Sequence, residues 1–593
     1  MKKSLLLLMI LFYAAVSWAA KAWTEPLTVK QIDGTTLTTY VHGDEHFNWY
    51  STTDGVILYR EDYTFYIANI HEDGTISSTG QLAHEKADRN FVELNLIALQ
   101  NKELFFAKAE ESQMVAFTRS GEPIASNSTL FPHTGTPKAI VILANYADTT
   151  FTLPNPRKSF VQFLNGFGSP TDFGNGEGRN YSSVQQYFKD MSFGKFVPQF
   201  DVYGPVTLPQ PLAYYGGTDN EGHDEKFSEL ISDACRLMDD SLNFADYDSN
   251  GDGLVDLVYV VYAGYGQNMG APVNTMWPKA GTITSAYQTA DNVKVYRSGI
   301  SNELIGNLKS PISKRISGVG LFCHEFSHCL GLPDFYPTIK SARVDNQGME
   351  AWSMMDDGEY TAMGYCPTAY TAWERETMGW LEIETLQTPQ QIKLENIDYG
   401  GKAYRILNDA DTSGKEYYIV QNIQQKKWNQ KLNGHGMLVY HISYDSQAYN
   451  LSYNTVNNVL GKPKMTVIPA DNKLLSSWTI SDRTVYNANF PGDPFPGVNG
   501  VTTLNDSLNL VNYAPWTGGE LAKPIYNINE LGDVVYFDFL NRIATTGIEK
   551  PIQATETITD RRIFSLDGQF LGTDLTSLPK GIYIQNKKKI VKM

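Results

Sequence analysis

The chain has 593 residues, too many for a single hydrophobic core, and its 42% hydrophobic and 19% charged residues suit about three or four globular domains. A net charge of −17 excludes a surface built for nucleic acid or an anionic membrane, since either would repel it. Four cysteines are too few for disulfides to be the main source of stability.

The N-terminus, MKKSLLLLMILFYAAVSWAA, has Lys2 and Lys3, then an apolar run from Leu5 to Val16, then the small residues Ser17 and Ala19. That order predicts a cleaved signal peptide over residues 1–19. About twelve apolar residues are too few to span a hydrocarbon layer of about 30 Å, and no other stretch approaches that length, so no transmembrane segment is expected in the mature chain. From residue 20 the sequence alternates in short runs such as TTLTTYVH and YTFYIANI, with Asp-Gly pairs at 33–34, 54–55 and 73–74. These predict β-hairpins with tight turns. A polar helix is expected over about 82–114, followed by the loop-like SGEPIASNSTLFPHTGTP and a domain boundary near 120–135.

PKAIVILANYAD, from Pro137, reads as a buried strand, and SSVQQYFKDMSFGKF at 182–196 as an amphipathic helix with a Gly stop. An extended segment, FVPQFDVYGPVTL, comes next. KFSELISDACRLMDD at 226–240 has helical spacing and LVYVVYAGYG at 257–266 is a second buried strand. Between them lies DYDSNGDGLVD, residues 246–256. Asp248, Asn250, Asp252 and Asp256 there offer converging oxygens around Gly253, which suits calcium with its shell of about 6 to 8 oxygens. The full EF-hand spacing is not met, because Tyr259 stands where Glu would close the loop, and a cluster of Asx turns without an ion is the alternative.

The chemistry concentrates in HEFSHCLGLPD, residues 324–334. On a helix, His324 and His328 project from one face and can bind one metal ion. Glu325 then stands beside the ion, able to take a proton from bound water without being a ligand. Gly331 can end the helix in a left-handed conformation and Pro333 stops it resuming, so that Asp334 returns as a third ligand. A fourth position is left for water, as a catalytic zinc site requires. Cys323 and Cys329, about 9 Å apart along such a helix, cannot bond to each other. Each could pair with one of Cys235 and Cys366, or all four could be free buried thiols. None of the four precedes residue 235, so no cysteine of the N-terminal region can mask the zinc.

AWSMMDDGEY follows at 351–360, and CPTAYTAWERETMGW at 366–380 reads as a closing helix with Pro367 at its start. H-E-x-x-H-x-x-G-x-x-D followed by a methionine turn resembles the metzincin clan of zinc peptidases. HEFSHCLGLPD with Asp in third place, and a Trp-x-x-Met turn, resemble the immune inhibitor A-like (M6) family within it. The resemblance implies that Met355, rather than Met354, lies under the zinc. It also implies that residues 20–130 are a propeptide, GDEHFNWYSTTDG being similar to its hairpin; an accessory β-domain that is never removed is the alternative. The closing helix would pack behind the active site, and Tyr360 is a candidate oxyanion donor.

After Trp380 the segments QQIKLENI, KAYRILN, KEYYIVQNI, GMLVYHISY and DVVYFDFLN read as strands ending near 541. His435 and His441 among them are expected to be structural. This region is similar to a β-rich part of the same family, extending the resemblance over about 130–541. A Thr/Glu-rich linker at 544–560 leads to RRIFSLDGQFLGTDLTSLPKGIYIQNKKKIVKM, which resembles the C-terminal sorting domain of type IX secretion; one more small β-module is the alternative.

The expected architecture is multidomain. An α/β, metzincin-like catalytic domain at 131–380 is flanked by an α+β prodomain at 20–130, an all-β domain at 381–543 and a linker with sorting-type β-tail at 544–593. The expected function is a secreted or outer-membrane-surface bacterial zinc endopeptidase made as a zymogen, acting on protein or peptide substrates through a zinc-bound water with Glu325 as base. Zn2+ at His324, His328 and Asp334 is the catalytic cofactor and Ca2+ a structural one. The secretion machinery is the expected partner of the tail. Two other classes are a zinc hydrolase of a non-protein substrate and a surface adhesin with a structural metal, which would need a fourth protein ligand.

Overall fold

A computed structural model describes residues 17–45, 47–109, 130–166, 179–217, 224–309, 314–339, 347–474, 476, 483–542, 563–565, 569–572, 578–585 and 588–592. The apolar core of the leader, most of the loop before 135 and the Thr/Glu-rich linker lie outside them. The chain divides into two compact units, Met1–Asn541 and Arg542–Met593.

The first unit opens with β1 (Ser17–Ala19) and a meander of β2 (Leu27–Lys30), β3 (Thr36–Gly43), β4 (Asn48–Thr52), β5 (Ile57–Glu61), β6 (Thr64–Ile70) and β7 (Ile76–Leu82), in sequential order. The three Asp-Gly pairs fall at three of its turns. At the third, Gly74 has φ 80° and a Cβ there would meet Leu104 O at 2.5 Å, so the turn and the helical segment behind it both require glycine. The single helix expected over about 82–114 is instead broken. α1 (Phe91–Ala98) starts at a capping box between Asn90 and Glu93, and a second helix, α2, covers 102–109. The break has a structural cause: the Gln100 amide hydrogen-bonds Ile57 N, Ile57 O and Ala68 O, while Asn101 Oδ1 accepts Leu104 N–H and restarts the helix.

The next elements are β8 (Lys138–Asn145), α3 (Pro156–Asn165), α4 (Val184–Met191), β9 (Gln199–Thr207), α5 (Leu212–Tyr215), α6 (Phe227–Met238), β10 (Val258–Tyr265), β11 (Lys279–Gln288), β12 (Lys294–Leu304) and α7 (Val319–Cys329). They build a sheet of order β1-β11-β12-β10-β8-β9. β9, β8, β10 and β12 run parallel, β11 is antiparallel to β12, and β1 is antiparallel to β11. Both faces are covered, which explains the unbroken apolar runs of β8 and β10. Val141, Leu143, Tyr259 and Val261 pack towards α4 and α7, while Ile140, Ile142, Val258 and Val260 pack towards α6. β11 and β12 escaped the sequence reading because polar and small residues interrupt them (KAGTITSAYQ and KVYRSGISNEL).

The closing helix is shorter than expected, α8 (Ala372–Thr377), because Thr371 forms a capping box with Glu374 and fixes the start five residues after Cys366. Beyond it, a five-stranded sheet centred on Glu416–Ile423 and Gly436–Ser443 adjoins a three-stranded one of Gln390–Leu394, Val534–Phe539 and Ile525–Leu531. Ile419, Leu438 and Tyr440 of this region share one apolar core with Trp352, Phe335 and Trp373. All four cysteines are free and buried, so neither disulfide pairing forms.

His435 meets Glu530, and the buried His441 contacts Glu416 Oε1 at 2.9 Å and Asn512 O at 2.9 Å. Burial opposes the Glu416 charge, but hydrogen bonds from His441, Thr517, Trp516 N–H and Asn408 outweigh it and hold the carboxyl at about 2. Its stabilisation is therefore present above the ordinary Glu range and lost as pH falls through about 2. Glu416→Gln is expected to destabilise the protein by about 1–3 kcal/mol at pH 7. The deficit should shrink as pH approaches 2, as denaturant melts at both pH values would read.

The second unit is a four-stranded antiparallel sheet of Ile563–Phe564, Phe570–Gly572, Gly581–Gln585 and Lys588–Lys592. Among the described residues no helix is long and apolar enough to cross a membrane.

Candidate metal centre

α7 is buried along its whole length. Its start lies against the 357–364 segment so closely that a Cβ on Gly320 would fall 2.0 Å from Glu359 O. His324 and His328 stand on one face with ring centroids 4.8 Å apart. After Leu330 the chain turns through Gly331, φ 101°, with Gly331 N–H bonded to His328 O and Leu332 N–H to Ser327 O, and Pro333 leads out to Asp334. The ligand atoms of His324, His328 and Asp334 all lie within 4.8 Å of one another. Asp334 Oδ1 is 3.2 Å from His324 Nε2 and 3.5 Å from His328 Nε2.

Each ring is oriented from behind. His324 Nδ1 donates to Met354 O at 3.0 Å and His328 Nδ1 to Leu332 O at 2.7 Å, which fixes the tautomer and aims both Nε2 lone pairs at the common point. His324 Nε2 and Asp334 Oδ1 are buried atoms that no hydrogen bond satisfies, as atoms reserved for a cation should be. Burial draws the His324 imidazole below its ordinary value. For His328 burial acts the same way, but the Asp334 carboxylate outweighs it and raises the ring. Burial also opposes the Asp334 charge, yet the two facing imidazoles, His328 above all, keep that carboxyl below the usual range. The trio accommodates one extra positive charge, a proton or a metal ion, and two imidazoles with one carboxylate suit zinc.

Asn454 is the residue the sequence reading missed. Its Oδ1 accepts Asp334 N–H at 2.8 Å and its Nδ2 donates to Asp334 Oδ2 at 2.6 Å, leaving Oδ1 to face the histidines. It comes from the β-rich region, 120 residues away, in an asparagine-rich stretch (Asn450, Asn454, Asn457, Asn458) whose only sequence signal is that richness. Asn454→Ala is expected to weaken metal binding about 10–100-fold, measured by competition with a chelating dye.

Met354 and Met355 are both buried. Met354 O holds His324, and Met355 O accepts Phe335 N–H at 2.7 Å, so the turn clamps both ligand-bearing segments. Glu325 is fully buried beside the trio, and burial pushes its carboxyl up to about 8. A nearby cation would draw it back down. Glu325 Oε1 accepts Ala20 N–H at 2.7 Å, which puts the N-terminal segment over the site. Tyr360 Oη accepts from Asn268 and donates to Lys21 O at 2.6 Å.

The 248–256 loop behaves differently. Asp248 accepts main-chain N–H from Gly251, Asp252 and Gly253, and Asp252 accepts from Leu254. Asn250 Oδ1 takes Asp252 N–H and Asp256 Oδ1 faces Ser249 N–H. These contacts are those of Asx turns, and calcium is not shown at Asp248, Asn250, Asp252 and Asp256.

Residues 156–381 match the family of the immune inhibitor A peptidase M6 catalytic domain. Among curated proteins, the pre-pro-metalloprotease PrtV of Vibrio cholerae serotype O1 (strain M66-2) is 26% identical over 236 residues, 35% of this chain and 25% of that protein. Immune inhibitor A of Bacillus thuringiensis subsp. alesti is 26% identical over 223 residues, 34% of this chain and 32% of that protein. The matched part thus spans a quarter to a third of the length of these relatives.

Proposed function

We propose that this M6-type domain makes the chain a zinc-dependent endopeptidase of the metzincin kind, secreted or displayed on the outer surface and produced as a zymogen. The observation that carries the reading is the buried trio His324, His328 and Asp334, with both Nδ1 atoms tied to carbonyls and Glu325 alongside. His324, His328 and Asp334 would hold a zinc ion, which when bound would supply Lewis acidity towards water and a peptide carbonyl. Glu325 takes the proton of the attacking water and passes it to the leaving amine, since one carboxylate within reach of both can do both. Met355 would serve as the methionine of the turn under the ligands, and Asn454 and the Met354 carbonyl hold Asp334 and His324 in place. Burial around Glu325 keeps bulk water from competing for the proton.

Residues 20–130 are read as the pro-segment, 131–380 as the catalytic domain, 381–543 as a β-rich support that contributes Asn454, and the 544–593 tail as a secretion address. The contact of Ala20 with Glu325 supports latency, because a base engaged by a main-chain amide is closed to substrate. A relative named as a pre-pro-metalloprotease agrees with a leader and a pro-segment. The test is incubation of the full chain with unfolded casein before and after limited trypsin treatment, with a chelator control. Chelator-sensitive cleavage that appears or rises after treatment is expected; failure to cut casein at all with zinc supplied would sink the reading.

A further inference from the structure

Ala20–Trp23 lies on the metal centre through the main-chain contacts an extended peptide would make. Ala20 N–H donates to Glu325 Oε1, the Ala20 carbonyl accepts from Trp277 Nε1 at 2.8 Å, and the Lys21 carbonyl accepts from Tyr360 Oη. Trp23 N–H donates to Asn268 O at 2.9 Å. While the leader is still attached, its last residues, β1, pair antiparallel with the edge of β11, as a bound peptide extends an open sheet. Ala20 N sets the register. A base that returns a proton to the leaving amine must stand within hydrogen-bond reach of that nitrogen. Ala20 therefore occupies the place of the first residue on the amine side of a cleaved bond, and Lys21 the second.

The Lys21 side chain is wholly buried, which a lysine tolerates only when its charge is met. Its Nζ lies 3.3 Å from Asp356 Oδ1, 3.9 Å from Asp357 Oδ1 and 5.9 Å from the centroid of the Tyr336 ring. Glu350, also buried, adds a further negative charge. Asp356 is fixed independently of Lys21, because it accepts the main-chain N–H of Met349, Glu350 and Asp357. Asp357 Oδ1 meets the segment a second time, through Thr24 Oγ1 at 3.0 Å. When the segment leaves, these carboxyl groups remain in a buried recess beside the substrate path, where they must either take up protons or be met by a cation.

We infer that Asp356 and Asp357 form an acidic subsite that selects lysine or arginine as the second residue on the amine side of the bond cleaved. This rests on the endopeptidase reading above. The experiment has two arms. In the first, trypsin-matured chain is given peptides differing only at that position, Lys or norleucine. A kcat/KM ratio of about 10 or more in favour of Lys is expected, falling at least about twofold in Asp357→Asn, which leaves the nearer Asp356 in place. In the second, hydrogen exchange of residues 20–23 is followed in the untreated full chain, a readout that needs no catalysis. Lys21→Met and Asp357→Asn should speed exchange there, and Lys21→Arg should restore slow exchange. Hydrolysis without preference for Lys, or a preference undiminished in Asp357→Asn, overturns the subsite alone. Exchange at residues 20–23 unchanged in Lys21→Met also overturns it. No hydrolysis of any peptide overturns the peptidase reading and the subsite with it.

Discussion

Glu325→Ala is expected to lower kcat/KM for peptide hydrolysis by about 10²–10⁴-fold, the range for loss of a positioned acid–base group, while zinc stays bound. The separation of the two effects follows from geometry. Glu325 lies between the two histidines in sequence but outside the trio whose atoms converge. Its Oε1 holds Ala20 N–H, so the carboxylate faces the N-terminal segment and not the ligand atoms. The variant removes the acceptor of Ala20 N–H and leaves the anchors at Met354 O and Leu332 O untouched. Glu325→Gln, which keeps the shape and can still hydrogen-bond but takes no proton, should be nearly as impaired. Metal analysis beside peptide kinetics checks both halves, and a variant keeping a tenth or more of wild-type activity would remove Glu325 from the mechanism.

Asp334→Ala should have the opposite signature, with metal lost first and activity with it. The carboxylate is the only negative charge of the trio, and without it two imidazoles must hold a dication in a buried site. A fall in zinc affinity of at least about 100-fold is expected, since even outer contacts to ligands are worth about 10–100-fold. Asn454 loses its acceptor as well, leaving a buried amide donor at a cost of about 1–3 kcal/mol, so the melting temperature should also drop. Full zinc retention by Asp334→Ala would mean that another carboxylate supplies the third bond. Glu359, buried and 3.8 Å from His324 Nδ1, would then be the first to examine.

Much of this centre could be read in advance because it is local. His324, Glu325, His328, Gly331 and Asp334 sit within eleven residues, and helical geometry with one glycine turn decides how they meet. The hairpins of residues 27–82 were legible for a similar reason, Asp-Gly pairs being turn signals that need no tertiary context. What escaped depends on distant partners. Asn454 matters only because the fold carries it 120 residues back to Asp334. The break at Gln100 exists because β5 and β6 claim its side chain. β11 takes its form from β12 and β1 rather than from its own alternation. The acidic 248–256 loop is legible only as a choice: the same residues that suit calcium also suit Asx turns, and composition does not separate the two.

The most direct measurement is the stepwise return of zinc to chelator-stripped, trypsin-matured chain, with casein hydrolysis followed alongside bound metal. Hydrolysis rising with zinc and levelling at about one ion per chain is predicted, with Glu325→Ala binding the same ion and remaining inactive. Full hydrolysis by the stripped chain, or by Glu325→Ala, would contradict a zinc peptidase with Glu325 as its base.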